Sequence, residues 1–206
     1  MNGKTINDKT TITIVEDHPV MREGLASFFT GTGRWNVVGK ASTLAEARKL
    51  ISSNEFNTDI ILLDIQLEDG WGLDLIQQIK SISSCPVIAV YSVFDDYPHV
   101  SAALSMGVRA YINKCRNENE LEKALFTALD GGIYIDNTTK FKYQTVMDIL
   151  SLLTKRETEI LNLVKTGFSN KQIAANLNIS RRTVENILSC VYDKTGIESR
   201  LELERL

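Results

Sequence analysis

An α/β fold is predicted for most of this 206-residue chain, as a doubly wound five-stranded parallel sheet followed by a second, smaller all-α domain. Three observations carry that prediction. Five short β-rich runs alternate strictly with five segments of helical period. The middle run, Ile60-Ile-Leu-Leu63, is continuously apolar, as a strand buried on both faces requires. After Asp130 the alternation stops and only helical patterns follow.

The elements are read in order. Residues 11–15, 35–40, 60–63, 87–91 and 108–112 are the strands, and residues 19–29, 44–52, 72–82, 99–106 and 118–129 are the helices between and after them. Pro19 suits the first turn of the first helix, and Gly31 lies where that helix closes. Gly131-Gly132 breaks the fifth helix, residues 136–140 are polar, and residues 141–151 are weakly helical. Helices are then predicted over 156–165, 170–176, 181–194 and 199–206. Thr154 with Glu157 forms a capping box at the first of these, and Ser169 and Ser180 are placed to cap the next two. The domains are therefore 1–130, a linker over 131–150, and 151–206. No internal repeat is present.

Composition excludes several classes. With 43% hydrophobic and 24% charged residues the chain is not mainly disordered, and a net charge of −3 is wrong for a strongly basic nucleic-acid coat. That total averages unlike parts: residues 1–150 carry a net −5 and residues 151–206 a net +2. The longest near-apolar stretch, residues 59–65, contains two acids and falls far short of the ~20 residues needed to span a bilayer, so no membrane partner is expected. The polar segment Met1 to Thr11 lacks the apolar core of a signal peptide, which points to the cytoplasm. Cys85, Cys115 and Cys190 are odd in number and far apart, and read as reduced thiols.

In such a sheet, functional groups collect at the carboxyl ends of the strands. Those ends carry Glu16-Asp17, Asp64, Ser92 and Lys114. Three carboxylates converging on one crevice repel one another and call for a divalent cation, and oxygen ligands suit Mg²⁺. A carboxylate beside such an ion can attack a phosphoryl group and form an acyl phosphate, whose oxygens a hydroxyl and an ammonium can hold. Singly, each residue has a plainer reading: an acid pair opening a helix, a turn aspartate, a core tyrosine.

Val-Glu-Asp-His (15–18), Leu-Asp-Ile-Gln-Leu-Glu-Asp-Gly (63–70), Val-Tyr-Ser (90–92) and Gly-Val-Arg-Ala-Tyr-Ile-Asn-Lys (107–114) together resemble the response-regulator receiver domain, over about residues 10–130. The resemblance implies a flavodoxin-like fold with Asp64 as phosphoacceptor for a sensor histidine kinase. It implies Asp17 as a direct Mg²⁺ ligand, Glu16 acting through water, and the backbone carbonyl of Gln66 completing the metal site with Asp64. Ser92 and Lys114 match the family's hydroxyl and lysine, and Tyr111 its switching aromatic. Gly70 falls where the loop after the acceptor strand turns. The family often has Pro or Asp after the lysine; this chain has Cys115-Arg116, and bulky Val93-Phe94 follow Ser92. A haloacid-dehalogenase-like phosphatase would want a second Asp where Gln66 stands. No Gly-x-x-x-x-Gly-Lys loop is present, so the chain is not read as an enzyme beyond phosphoryl transfer to and from its own Asp64.

In the tail, residues 177–180 separate two short helices with Ile173, Ala174, Leu177, Ile179 and Val184 facing one core, a helix-turn-helix. The run resembles the LuxR-type DNA-binding domain, and the whole chain a transcriptional regulator of the NarL/FixJ subfamily. The resemblance implies that Lys171, Arg181, Arg182 and Thr183 contact phosphates or groove edges. It implies that Glu185, Asn186 and Ser189 face the bases of double-stranded DNA, with a homodimer forming on phosphorylation. Many members carry Lys at the place of Glu185 and His at that of Ile187. Those two departures motivate an alternative, a receiver-based protein-interaction module whose helical domain does not read DNA.

Overall fold

The computed structural model of the chain describes residues 9–206, so the polar N-terminal segment noted above lies, through residue 8, outside the described residues. Two compact units are present. One runs through Asp95 and resumes over His99–Thr139; the other comprises Lys140–Leu206 with Asp96–Pro98.

The first unit is built on strands β1 (Thr10–Val15), β2 (Trp35–Ala41), β3 (Ile60–Leu63), β6 (Val87–Ser92), β7 (Ala110–Asn113) and β8 (Tyr134–Ile135). A small antiparallel pair, β4 (Gln66–Leu67) and β5 (Gly70–Trp71), lies apart from them. The sheet order is β2-β1-β3-β6-β7-β8 with every pair parallel. All four β3 residues are buried, in keeping with their unbroken apolar run. Ile12, Phe29, Trp35, Leu62 and Leu125 belong to the apolar core that the sheet shares with helices α1 (Pro19–Gly31) and α5 (Glu118–Leu129). The indole Nε1 of Trp35 donates to Glu122 at 2.7 Å, and Arg34 pairs with the same carboxylate, so a buried acid is neutralised at the sheet edge.

Besides the β4–β5 pair, the structure adds to the sequence reading at three places. A sixth strand, β8, extends the expected five. It is two residues long and follows Gly131 at φ +85°, too short to leave a periodic signal. The weakly helical pattern read over 141–151 lies within α6 (Asn137–Ser151), which begins earlier, and β8 also falls in the segment 131–150. The helix expected over 72–82 opens as a 3₁₀ turn, Gly72–Leu75, that runs straight into α3 (Ile76–Lys80), with Leu75 and Ile76 both right-handed helical. Helices α2 (Leu44–Ile51) and α4 (Tyr97–Ser105) complete the alternation.

The second unit contains α7 (Lys155–Lys165), α8 (Asn170–Asn176), α9 (Arg181–Thr195) and α10 (Arg200–Arg205). Each starts from a hydroxyl cap, Thr154, Ser169, Ser180 and Ser199, whose side chain accepts a backbone N–H three residues on. Thr154/Glu157 and Ser169/Gln172 are full capping boxes. Ile160, Ile173, Val184, Leu188 and Leu203 form the core, with Leu177 and Ile179 packed against it. Asn178 turns at φ 52°, and Gly196 ends α9 in the left-handed conformation. Among the described residues, no helix is long and apolar enough to cross a membrane.

Candidate functional site: an acidic pocket at the strand ends and an exposed helix

The sheet order reverses direction between β1 and β3, and side chains gather at that switch point. Val15 is in register with Leu63, so Glu16 and Asp64 leave neighbouring strands at the same level. Lys114 arrives one residue past β7, its N–H bonded to the Ser92 carbonyl at 2.9 Å. Its Nζ lies 2.7 Å from Asp64 Oδ2 and 2.7 Å from Glu16 Oε2, bridging two buried carboxylates. Burial pushes the Asp64 carboxyl above its ordinary range, against the pull of the Lys114 ammonium. Burial acts to lower Lys114, but the bonds to Asp64 and Glu16 outweigh it and the amine is raised. It stays charged, and an ammonium is suited to holding oxyanions.

Glu16, Asp17, His18 and Asp64 each offer a ligand atom within 4.8 Å of the others. His18 was not singled out by sequence reasoning. Its Nδ1 sits 2.7 Å from Asp17 Oδ1 and its backbone N–H reaches Glu16 Oε1 at 3.2 Å, and its place directly after the acid pair was the available signal. Of Gln66, the backbone N–H donates to Asp64 Oδ1 at 3.3 Å while the side chain is exposed.

The end of β3 is shaped by a residue that sequence reasoning missed. A Cβ on Gly72 would fall 1.9 Å from the Asp64 carbonyl oxygen, so only glycine fits, and the Gly72 N–H closes on the Ile65 carbonyl at 2.7 Å. Gly70, the expected turn residue, has φ +146°, and a Cβ there would meet Leu44 at 2.7 Å.

Ser92 is fully buried and its Oγ accepts the Phe94 N–H at 3.3 Å; the hydroxyl of Tyr111, also fully buried, donates to the Phe94 carbonyl at 2.9 Å. The hydroxyl and the aromatic are thus tied through the backbone of one residue. A cavity of about 650 Å³ opens beside the pocket, lined among others by Glu16, His18, Met21, Phe28, Lys114 and Arg116.

On the second unit, Lys171, near the start of α8, is exposed, as are Arg181, Arg182, Thr183, Glu185, Asn186 and Ser189 on α9. Val184, Leu188, Val191 and Thr195 of the same helix are buried, a spacing of four, three and four that turns the other face outward. Arg181 Nε lies 2.8 Å from Glu185 Oε1, one helical turn on, so the two unlike charges on this face compensate each other.

Comparison with known proteins places both units. Residues 12–126 match the response regulator receiver domain, and residues 151–206 match the bacterial regulatory proteins of the luxR family. The chain is 31% identical to the oxygen regulatory protein NreC of Staphylococcus aureus (strain JH9), over 93% of this chain and 94% of that protein. It is 28% identical to the transcriptional regulatory protein YdfI of Bacillus subtilis (strain 168), over 93% and 92%. Among solved structures it is similar in fold to RcsB from Salmonella enterica serovar Typhimurium bound to promoter rprA in the presence of phosphomimetic BeF3⁻. The TM-score is 0.70 at 24% identity, covering 95% of this chain and 96% of that one.

Proposed function

The chain belongs to the bacterial response regulators that join a receiver domain to a LuxR-type DNA-binding domain, a family of transcriptional regulators rather than enzymes, and from that premise we propose that its Asp64 accepts a phosphoryl group from a sensor histidine kinase. The observation that carries this reading is the double contact of Lys114 with Asp64 and Glu16, set in a cluster that includes Asp17 and His18. Three carboxylates against one lysine leave the pocket short of positive charge, and its donors are mainly oxygens, which fits Mg²⁺ held by Asp17, Asp64, the Gln66 carbonyl and, through water, Glu16. When bound, Mg²⁺ would offset the carboxylate charge and draw electron density from the phosphoryl oxygens.

The rest is done by the chain. An Asp64 carboxylate oxygen attacks phosphorus, an acyl O–P bond forms, the P–N bond of the donor phosphohistidine breaks, and the imidazole leaves with a proton from solvent. Lys114 moves from the carboxylate to a phosphoryl oxygen, Ser92 turns its hydroxyl to another, and the shift passes through Phe94 to Tyr111. The tail then reads DNA with the exposed face of α9, Arg182 and Lys171 meeting phosphates, Asn186 and Ser189 meeting base edges. Glu185 is shielded by Arg181 and free to accept from cytosine. A net charge of +2 supplies few phosphate contacts per subunit, so two subunits on two half-sites are needed for tight binding. The chain works in the cytoplasm, where kinase and DNA both are.

Two measurements test this. Intact mass after incubation with phosphoramidate and Mg²⁺ should rise by one phosphoryl group in the wild type and not in Asp64→Ala; continued labelling of Asp64→Ala sinks the acceptor assignment. Selection from random duplexes with the phosphorylated protein should enrich a two-fold repeated site. No enriched sequence would favour the protein-interaction module instead.

A further inference from the structure

One buried carboxylate in the receiver has no part in the chemistry above. Asp136 is fully buried at the end of β8, where its own N–H closes on the Tyr111 carbonyl at 3.2 Å. Its carboxylate accepts from two separate elements, with Oδ2 serving both. Oδ2 accepts the backbone N–H of Asn113 at 3.0 Å, and Asn113 is the residue directly before Lys114. Oδ1 accepts the Thr139 N–H at 3.2 Å and Oδ2 the Thr139 hydroxyl at 2.7 Å, so the same side chain caps α6. Arg116, two residues past Lys114, places Nε 3.2 Å from Oδ1 as a charge contact without the alignment of a hydrogen bond.

Asn113 carries the connection onward. Its Nδ2 donates to the Val93 carbonyl at 3.3 Å and its Oδ1 accepts the Cys115 N–H at 2.8 Å. The segment after Ser92 and the segment carrying Lys114 are therefore stapled together by one side chain, and that side chain's own backbone is held by Asp136. A serine could cap α6 as well as an aspartate does, but it has one short oxygen. Serving the Asn113 N–H and both donors of Thr139 at once, with Arg116 alongside, takes both carboxylate oxygens.

Resting on the Asp64 reading, we infer that Asp136 is a two-sided positioning residue: it fixes the strand end that aims Lys114 at the phosphoryl group, and it transmits displacement of that strand end to the first turn of α6. The helix start supplies the two discrete arrangements that such coupling needs, capped and uncapped. Helix α6 continues past Thr139 into the second unit, so a change at its first turn falls on the chain segment that joins the two.

The test uses the full-length chain with three substitutions and two readouts: the rate of phosphoryl uptake from phosphoramidate with Mg²⁺, and amide exchange of residues 137–140 with and without BeF3⁻. Asp136→Ser keeps a cap for α6 but loses the hold on Asn113. Uptake should fall about tenfold, the lower end of what removing a supporting contact behind a functional group costs, and exchange at 137–140 should no longer respond to BeF3⁻. Asp136→Asn keeps the shape but only one accepting oxygen, its NH2 being a donor that cannot take the Thr139 N–H, so it should recover the uptake that depends on Asn113 and not the response of exchange at 137–140. Thr139→Val removes the hydroxyl that donates to Oδ2 and leaves Asn113, Lys114 and Asp64 themselves unchanged. Because coupling is reciprocal, it should still shift the BeF3⁻ concentration for half-saturation about fivefold; an unchanged half-saturation would overturn the coupling. Wild-type uptake together with wild-type exchange in Asp136→Ser would overturn the positioning role. A wild-type chain that takes up no phosphoryl group overturns the Asp64 reading and this one together, whereas failure in the variants alone leaves the Asp64 reading standing.

Discussion

Adding one methyl group to two glycines of the receiver should have opposite effects. At Gly72 the new Cβ would lie 1.9 Å from the carbonyl oxygen of Asp64, a backbone atom with no flexible end to swing aside. Relief to an ordinary contact requires the β3 end or the 3₁₀ turn to move by more than 1 Å, since non-bonded carbon contacts settle near 3.5 Å. Overpacking of a core typically costs 1–3 kcal/mol, and a rigid clash this deep belongs at about 3 kcal/mol or above. For a unit of this size that corresponds to a fall in Tm of roughly 12 °C, at about 4 °C per kcal/mol. The moved atom belongs to Asp64, so phosphoryl uptake should fail in the molecules that still fold. At Gly24, inside α1, a Cβ would meet nothing within 4 Å. There alanine removes the entropy cost of a helical glycine and should stabilise by about 0.5–1 kcal/mol. Thermal melts of Gly72→Ala and Gly24→Ala beside the wild type, with uptake from phosphoramidate, measure both. A Gly72→Ala chain that melts with the wild type and takes up the phosphoryl group at its rate would refute the reasoning.

Three further outcomes are expected. Lys114→Met leaves two buried carboxylates without their cation and should cost about 3 kcal/mol near neutral pH. Asp64, already raised by burial, then rises further. A carboxyl with a folded pKa above its unfolded one penalises the fold at higher pH, so the deficit should shrink on acidification. Equal deficits at pH 5 and pH 8 by urea denaturation would count against it. Glu157 behaves oppositely: the Lys194 ammonium and the Thr154 N–H hold it down from 4.5 to about 2, so its contribution is complete above about pH 4.5 and is lost as pH falls toward about 2. Glu157→Gln should flatten that part of the stability profile, and superimposable profiles would show the pair to be idle. On α9, Arg182→Ala should weaken binding to all duplexes alike and reduce the slope of log K against log salt by about 1; a loss confined to one base position would mean that Arg182 reads sequence instead.

The parts legible in the sequence were those whose signal is local and repeated. The apolar run 60–63, the caps at Thr154, Ser169 and Ser180, and the acids that follow the strands all stand where they were read. What escaped was set by contacts between distant segments. Nothing in Leu63 to Ile82 shows that the Gly72 backbone must press on the Asp64 carbonyl. Two-residue strands such as Gln66–Leu67 and Tyr134–Ile135 carry no period at all. Asp136 looks like any polar residue ahead of a helix until Asn113 and Arg116 arrive from twenty or more residues away. The site was readable as a set of strand ends; its bracing was not.

The four hydroxyl caps of the helical unit have a kinetic consequence. Each helix start there is specified by groups within four residues of one another, and no strand pairing is needed to complete the unit. Such chains form in roughly microseconds to milliseconds. The receiver sheet instead waits for loops to close, as when Thr11 meets Asp59 across 48 residues to seat β1 beside β3. During synthesis the slow half emerges from the ribosome first and the fast half last, so the time the receiver needs elapses while its helical neighbour is still being made.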